Sequence, residues 1–442
     1  MNKRKSKEAN GFGRNDSKPR DASKFFAEKF IDSNIKALKL KRRKEEMADT
    51  MRAFYVEADH EPREGYKMSE REITTGRALR GNQIWRNIRG SVVDRPIPTY
   101  ADDQVLIKVG AAGICGTDAH LLKKDADGYS MYDGHSKYPI ITGHEFSGEI
   151  VAVGKNVKKL KVGDLVSVES MHWCGECDAC RRGMFNQCKD LEEPGLTYDG
   201  GFAEYAAVKA KYCYPLNAIM DYYGGDKMTA FELGAMIEPT GVAYNGLFVR
   251  GGGIRPGGHV AVFGAGPIGL AAISLMKTAG AAKLIAFESV PERVELAKKC
   301  GADYVYDPTS FKSPDEQAEM LMDLTNGAGI SLFAECAGAT KFTYPVMGKA
   351  LAIGGKTVQI GHTVGITPVD IFNWQWNAAT ISGSNGQSGQ GIYPDVIALM
   401  ASGRIDMRKM CTGRFNLEDI QEGMKITAGK VLVSTNYPRL NK

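Results

Sequence analysis

The chain has 442 residues and a mass of 48.1 kDa, which is more than one domain usually contains, so at least two hydrophobic cores are expected. Hydrophobic residues make up 43% and charged residues 25%, which excludes collagen-like, disordered and disulfide-scaffold classes for most of the chain. The net charge is +5, but residues 1–50 carry 15 Lys and Arg against 8 Asp and Glu, which leaves 42 against 44 for the remainder. Residues 51–442 therefore give no electrostatic argument for binding nucleic acid or an anionic membrane.

The first 50 residues form a basic extension that the sequence predicts to be partly helical or disordered. Apolar residues recur there at helical spacing, at Phe26, Phe30, Ile31, Ile35 and Leu38. We favour a solvated extension without chemistry; the alternatives are an arm that contacts a neighbouring subunit, a membrane-surface helix and a nucleic-acid arm. The first twenty residues are polar and lack the apolar segment of a secretory signal, so a soluble cytoplasmic protein is predicted.

The rest of the chain changes its pattern near residue 239. Residues 51–238 contain short alternating runs separated by glycines, which predict a compact, partly open β-barrel. Residues 239–385 alternate between strand and helix patterns, beginning with the strand at 260–263 and the helix at 268–279, and this alternation predicts a parallel sheet with crossover helices. Residues 386–442 contain a helix at 392–401 and a strand at 430–434, and we expect them to return to the first domain.

A glycine-rich turn joins the first strand and helix of the alternating region. In the sequence Gly264-Ala-Gly266-Pro267-Ile268-Gly269, the first glycine permits a tight turn, the second a close approach to a pyrophosphate and the third close packing of helix and strand. Glu288 ends the next strand, where a carboxylate would bind both ribose hydroxyls of NAD and repel the 2′-phosphate of NADP. The turn therefore predicts an NAD site. Arg293 is the nearby cation that could reduce the preference for NAD over NADP.

Four of the nine cysteines are clustered, at Cys174, Cys177, Cys180 and Cys188. Four thiolates complete the tetrahedral coordination of Zn²⁺ and leave no open position, so this lobe, residues 170–190, is predicted to hold a structural zinc. An iron–sulfur cluster shares part of the spacing but is disfavoured by the seven-residue gap and by the absence of a following proline.

Three separated motifs carry candidate ligands for a second, catalytic zinc. Cys115 precedes Thr117 and His120; His144 precedes Glu145; and Glu238 stands before Pro239. Cys115, His144 and one or both of Glu145 and Glu238 would supply three protein ligands and leave a position for water or substrate. Zinc would then act as a Lewis acid on a substrate hydroxyl, and Thr117 could accept the proton that is released.

From about Met51 onward the chain resembles the zinc-dependent medium-chain dehydrogenase/reductase superfamily. The His144-Glu145 motif, the four-cysteine lobe and the glycine turn occur in the same order in that superfamily. The Glu238-Pro239 pair is similar to the polyol, sorbitol and threonine dehydrogenase branch, and Ser384-Asn-Gly-Gln-Ser-Gly389 resembles its cyclitol-oxidising members. The resemblance implies an α/β protein with a GroES-like catalytic domain at 51–238, a Rossmann domain at 239–385, an active site between them, and dimers or tetramers. Residues 1–50 depart from the family pattern.

The resemblance implies the activity and further site residues. It implies hydride transfer between NAD and a secondary alcohol or ketone of a cyclitol or polyol, with Thr117, His120 and Glu145 in the catalytic step and a proton relay through the cofactor ribose to His120. Ile360 and His362 are predicted to contact NAD. Candidate substrate contacts and entrance residues are Glu145, Glu149, His362, Asn385, Gln387, Tyr129, Tyr132 and His135. The alternatives are a threonine-type 2-amino-3-hydroxy acid or linear polyol dehydrogenase, and a nucleic-acid-binding protein that senses NAD, which is disfavoured.

Overall fold

The computed structural model describes residues 49–363 and 365–437, and the part from Met51 onward clusters as one unit. The predicted helix of the basic extension lies outside the described residues. The strands are β1 Thr50–His60, β2 Trp85–Pro96, β3 Gln104–Ile114, β4 Ile140–Ile141, β5 Glu145–Val153, β6 Leu165–Val168, β7 Tyr205–Lys209, β8 Cys213–Pro215, β9 His259–Phe263, β10 Lys283–Phe287, β11 Tyr304–Tyr306, β12 Ile330–Glu335, β13 Leu351–Gln359, β14 Thr380–Gly383, β15 Cys411–Asn416 and β16 Lys430–Ser434.

The α-helices are α1 Glu70–Thr75, α2 Gly116–Leu122, α3 Asp178–Arg181, α4 Asn217–Tyr222, α5 Lys227–Tyr244, α6 Pro267–Thr278, α7 Pro291–Cys300, α8 Pro314–Leu324, α9 Thr340–Lys349, α10 Ile371–Trp376, α11 Ile392–Ala401 and α12 Ile420–Gly423. Helices α6, α7 and α8 each begin with a proline, which suits the first helical position because the N–H that proline lacks would have no partner there. No helix within the described part of the chain is both long and apolar enough to cross a membrane.

The alternating region forms the predicted doubly wound parallel sheet. Its six strands lie in the order β11-β10-β9-β12-β13-β14, and every neighbouring pair is parallel. Residues in β9 alternate between two cores: Val260 and Val262 pack with α5 and α6, whereas Ala261 and Phe263 pack with α8 and α9. The strand is therefore buried on both faces, as expected of a parallel sheet. The strand order reverses between β9 and β12, and open parallel sheets bind ligands at such a point, outside the carboxyl ends of the strands.

A second, mixed sheet of seven strands has the order β15-β16-β3-β5-β6-β8, with β7 paired to β3. Strands β15 and β16 come from the end of the chain, and Val431 pairs with Ile114 of β3. A small sheet of β2, β1 and β4 lies beside this core. Strands from residues 104–215 and from residues 411–434 thus share one sheet.

The long helix α5 connects the two sheets. It packs against β3, β5 and β6 of the mixed sheet and against α6 of the parallel sheet, and nearly all of it is buried. The predicted boundary between residues 238 and 239 lies inside this helix. Helix α11, within the predicted return segment 386–442, packs against α4 and α5, so only β15 and β16 pair with the mixed sheet. The exact domain limits stay predictions.

Candidate active site and cofactor site

Neighbouring strands of the mixed sheet bring together the predicted ligands of the catalytic zinc. Strand β3 ends immediately before Cys115, β5 begins at Glu145, and Gly113 pairs with Glu145 across the antiparallel ladder. One ligand atom from each of Cys115, His144 and Glu145 lies within 4.8 Å of the others. A thiol, an imidazole and a carboxylate at this separation form a donor set that suits zinc.

Glu145 makes a second contact that the motifs did not predict. The ammonium group of Lys430 donates hydrogen bonds of 2.7 and 2.6 Å to its two carboxylate oxygens and one of 3.1 Å to the carbonyl of Ile114. Both charged side chains are 1% exposed. A Cβ at Gly113 would overlap the Glu145 carboxylate, so the glycine is needed for this arrangement. The sequence gives no local sign of the pair, because the three residues that follow Lys430 in its strand are apolar.

Asp118 contacts the backbone of Cys115 and lies near the imidazole of His144. Its Oδ2 accepts a hydrogen bond of 2.9 Å from the backbone N–H of Cys115, at the amino end of α2. Its Oδ1 lies 3.8 Å from Nδ1 of His144, and neither atom has a hydrogen-bond partner among the described residues. Asp118 is buried and can orient the imidazole so that its other nitrogen faces a metal. The three-residue spacing from Cys115 to an aspartate, typical of a helix cap, could have identified it.

Glu238 approaches the ligand group from α5. It lies outside the group of three, yet near enough to interact electrostatically with Glu145 and His144. Burial and the neighbouring Glu145 raise the pKa of Glu238. Lys430 neutralises only one of these two buried carboxylates, and a divalent cation would balance the other.

A hydrogen-bonded chain holds Glu238 in place. Ser170 donates to Oε1 of Glu238 at 2.9 Å, and the side-chain amide of Gln387 donates to Ser170 at 3.4 Å. Gln387 is completely buried. It therefore supports Glu238 through Ser170, while its own Oε1 has no hydrogen-bond partner among the described residues. Its role as a substrate contact stays a prediction.

Thr117 and His120 lie one turn apart on α2, directly after Cys115. Residues at this spacing share a helix face. Thr117 is half-buried and His120 is exposed. Partial desolvation, together with Lys123 and His362, lowers the pKa of His120. The positions of Thr117 and His120 suit a path for protons from the ligand group to solvent.

The four-cysteine lobe also has the geometry of a metal site. The four sulfur atoms lie within 4.8 Å of one another, with 4.0 Å between those of Cys174 and Cys180 and 3.8 Å between those of Cys177 and Cys188. A tetrahedron of sulfurs with Zn–S bonds of about 2.3 Å has edges of about 3.8 Å, so a zinc ion fits. Backbone N–H groups donate to these sulfurs, including that of Cys174 to Cys188 at 3.3 Å. Such donors stabilise thiolates.

The glycine turn lies between β9 and α6, at the point where the strand order reverses. Gly264 has φ of 88°, and a Cβ at Gly269 would overlap the carbonyl of Gly264. Around Gly266, in contrast, a Cβ would find no atom within 4 Å. The open space at Gly266, beside the amino end of α6 with Pro267 and Ile268, fits a pyrophosphate.

Glu288 reaches back to the same turn. Its Oε2 accepts a hydrogen bond of 2.9 Å from the N–H of Ala265, and its Oε1 accepts from Ser289 and Val290. The carboxylate is buried, and the guanidinium of Arg293 lies 3.8 Å away. Glu288 thus organises the turn in addition to its predicted contact with ribose, a role that the sequence did not reveal.

The remaining predicted contacts divide into two groups. Ile360 and His362 follow β13, and His362 lies near enough to His120 and Asp133 to interact electrostatically with them. Glu149 instead forms an ion pair of 3.0 Å with Lys227 at the surface. The backbone carbonyl of Asn385 accepts from Asn186.

The candidate entrance residues lie in the segment before β4. Tyr129 is buried against the guanidinium of Arg63, 3.9 Å from the ring centroid. Burial lowers the pKa of His135 and raises that of Tyr132. The three are therefore in different environments, and Tyr132 is the one that interacts electrostatically with Cys115.

One acidic residue near the ligand group was missed by the sequence analysis. Glu193 interacts electrostatically with His144 and Glu238, and burial raises its pKa to about 7. Glu193 lies in the loop that follows the cysteine lobe, and it belongs to no recognisable motif.

Comparison with known proteins places this architecture in a family. Residues 101–218 match the alcohol dehydrogenase GroES-like domain, and residues 267–402 match the zinc-binding dehydrogenase domain. The chain is 39% identical to scyllo-inosose 3-dehydrogenase of Thermotoga maritima over 386 residues, which cover 85% of this chain and 96% of that protein. The chain belongs to the zinc-binding dehydrogenase family.

Two further comparisons agree with this assignment. This dehydrogenase is 34% identical to L-threonine 3-dehydrogenase of Pyrococcus horikoshii, over 73% of this chain and 87% of that protein. A solved structure described as a putative alcohol dehydrogenase from Thermotoga maritima superposes with a TM-score of 0.83 at 38% identity, over 87% of this chain and all of that one. The predicted fold, a GroES-like domain with a Rossmann sheet, is confirmed, as is the prediction of a zinc- and NAD-dependent oxidoreductase that acts on CH–OH groups.

Proposed function

We propose that this dehydrogenase transfers hydride between NAD and a secondary alcohol or ketone of a cyclitol or polyol, of the inositol or inosose type. The observation that carries the proposal is the group of Cys115, His144 and Glu145, with Glu238 beside it, in a chain that aligns with nearly all of scyllo-inosose 3-dehydrogenase. In the oxidative direction the alcohol loses a hydride from carbon to NAD⁺ and a proton from oxygen to solvent, which yields a ketone and NADH.

Zinc bound by Cys115, His144 and one or both glutamates would supply Lewis-acid polarisation of the substrate oxygen, while NAD takes up the hydride. The residues of this chain handle the proton. Thr117 accepts it near the reacting oxygen, and His120, one turn further along α2, passes it to solvent. The exposure of His120 and its neutral state near pH 7, favoured by its lowered pKa, support this role.

The carboxyl groups near the site favour a polyhydroxylated substrate. Glu193 and Glu238 lie beside the ligand group, which itself contains Glu145, and Lys430 is already paired with Glu145. Carboxyl oxygens accept hydrogen bonds from hydroxyls, and a cyclitol or polyol offers several hydroxyls where threonine offers one. A threonine-type activity remains the second candidate because of the similarity to L-threonine 3-dehydrogenase.

NADH absorbance tests this proposal. The purified enzyme is offered NAD with scyllo-inosose, myo-inositol, xylitol or L-threonine, and its metal content is measured. We expect turnover with a cyclitol or polyol and two zinc atoms per chain. Cys115→Ser should abolish turnover and keep NAD binding. Oxidation of threonine alone would contradict the proposal, and so would full activity of Cys115→Ser.

Self-association and a cytoplasmic location are part of the same proposal. Large apolar side chains are exposed around the outer strand β14 of the parallel sheet, among them Trp376, 78% exposed, and Ile381, 42% exposed. Exposed apolar groups beside a free strand edge favour contact with a second copy of the chain. None of the nine cysteines, all of which lie in the described part of the chain, forms a disulfide, which suits a reducing compartment.

A further inference from the structure

The loop after the cysteine lobe packs against the turn that carries His144. A Cβ at Gly195 would lie 2.7 Å from the backbone nitrogen and oxygen of Gly143, so the two backbones are in close contact. The N–H of Lys137 donates to the carbonyl of Leu196 at 2.8 Å, which ties the loop to the segment before β4 as well. Glu193 is therefore held beside the ligand group by backbone contacts on two sides.

The backbone of Glu193 is saturated with hydrogen bonds, whereas its carboxylate is not. Its N–H donates to the hydroxyl of Thr197 at 2.8 Å, and its carbonyl accepts from the N–H groups of Leu196 and Thr197. Within residues 49–363 and 365–437, the carboxylate has no hydrogen-bond partner. The preceding Glu192 differs, because it forms an ion pair with Arg77.

Tyr132 provides a second free polar group at the same place. It interacts electrostatically with Glu193 and with Cys115, the predicted zinc ligand. Its hydroxyl likewise has no hydrogen-bond partner in the described part of the chain, and both side chains are only partly exposed. Among the described residues, an acceptor and a donor without hydrogen-bond partners thus lie near enough to each other and to the ligand group to interact electrostatically.

We propose that Glu193 and Tyr132 form a hydroxyl-binding wall, in which the Glu193 carboxylate accepts a hydrogen bond from a hydroxyl of the substrate other than the one oxidised. The inference rests on the proposed function and adds how the enzyme selects polyhydroxylated substrates over monohydric alcohols. A polyhydroxylated substrate satisfies a carboxylate that loses water on binding, whereas a monohydric alcohol leaves it unmatched. Selection for polyols would then be determined by this loop as well as by the metal ligands.

The test is a cycle that combines enzyme variants with monodeoxy analogues of the best cyclitol substrate. With the native enzyme, the analogue that lacks the hydroxyl facing Glu193 should show a kcat/KM lower by about 10- to 100-fold, the range for a hydrogen bond to a charged group. In Glu193→Leu, the full substrate should suffer a similar loss, and removal of that hydroxyl should have no further effect. Glu193→Gln, which keeps an acceptor, should lose less, and Tyr132→Phe should weaken cyclitol binding.

Glu192→Gln is the matched control, because it changes the neighbouring carboxylate, which is already paired with Arg77. It should leave kcat/KM for the full substrate and for the deoxy analogue unaffected. An equal loss on all analogues in Glu193→Leu would overturn the inference while leaving the proposed function intact. Loss of zinc in Glu193→Leu would also overturn it, since the residue would then serve the metal. Absence of turnover with every cyclitol and polyol would overturn both the proposed function and this inference.

Discussion

Lys430 and Glu145 form a buried ion pair with two hydrogen bonds, between residues 285 positions apart, at the edge of the predicted catalytic zinc site. The pair joins β16 to the His144-Glu145 motif, with β3 between them. It gives the buried Glu145 carboxylate a cationic partner, and it limits the freedom of the carboxylate to approach a metal.

Removal of the cation should therefore destabilise the protein. Lys430→Met removes the ammonium group that pairs with the buried Glu145 carboxylate, and we expect the free energy of unfolding to fall by about 3 to 5 kcal/mol. Urea denaturation measures it. Lys425→Met is the control, because its ion pair with Glu422 is exposed and should contribute less than about 1 kcal/mol. Equal effects of the two substitutions would contradict a stabilising role for the buried pair.

Loss of one cysteine from the lobe should remove one of the two metals. Cys188→Ser leaves three thiolates, so we expect one zinc per chain by elemental analysis and a lower thermal stability, with NAD still bound. Cys213→Ser, a buried cysteine outside the cluster, should keep both zinc atoms. Two zinc atoms in Cys188→Ser would show that the lobe does not hold the ion through this sulfur.

Glu288 should influence both cofactor affinity and cofactor preference. Glu288→Gln removes the charge that disfavours a 2′-phosphate and disturbs the hydrogen bond from Ala265. We expect kcat/KM for NAD to fall about tenfold, in line with a hydrogen bond to a charged group, and the NAD-to-NADP ratio to fall with it. Glu292→Gln, on the exposed side of α7, serves as the control. An unchanged ratio would refute the assigned role in cofactor choice.

His120 should determine the acid limb of the pH profile. The neutral imidazole accepts the proton, and because its pKa is lowered, activity should persist below pH 6.5 before protonation reduces it. Lys123→Gln removes one of the cations that lower this pKa, so the acid limb of kcat/KM should move toward higher pH. His120→Gln should abolish this limb. A limb that stays in place in both variants would belong to another group.

The exposed apolar surface near β14 should mediate self-association. Trp376→Asp places a charge on this surface and should shift the protein toward monomers in analytical ultracentrifugation. Val162→Asp, equally drastic at another exposed apolar position that is 57% exposed, should not. If Trp376→Asp leaves the mass unchanged, a different surface forms the interface.

Much of the fold was predictable because its signals are local. The strands and helices near the glycine turn, the helix at 392–401 and the strand at 430–434 were predicted close to their observed bounds. Helices α8 and α9 were not singled out by the alternating pattern. The cysteine lobe was recognisable for the same reason, since its four ligands lie within fifteen positions of the chain.

Sequence alone determined which side chains are available: the thiols, the imidazoles, the carboxylates and the glycines at fixed spacing. The tertiary structure decided which of them meet. It paired Lys430 with Glu145, set Glu193 and Tyr132 beside the ligand group, and moved Glu149 to a surface ion pair. These outcomes depend on strand register and burial between distant segments, and contacts of that kind leave no periodic or short-range pattern in the chain.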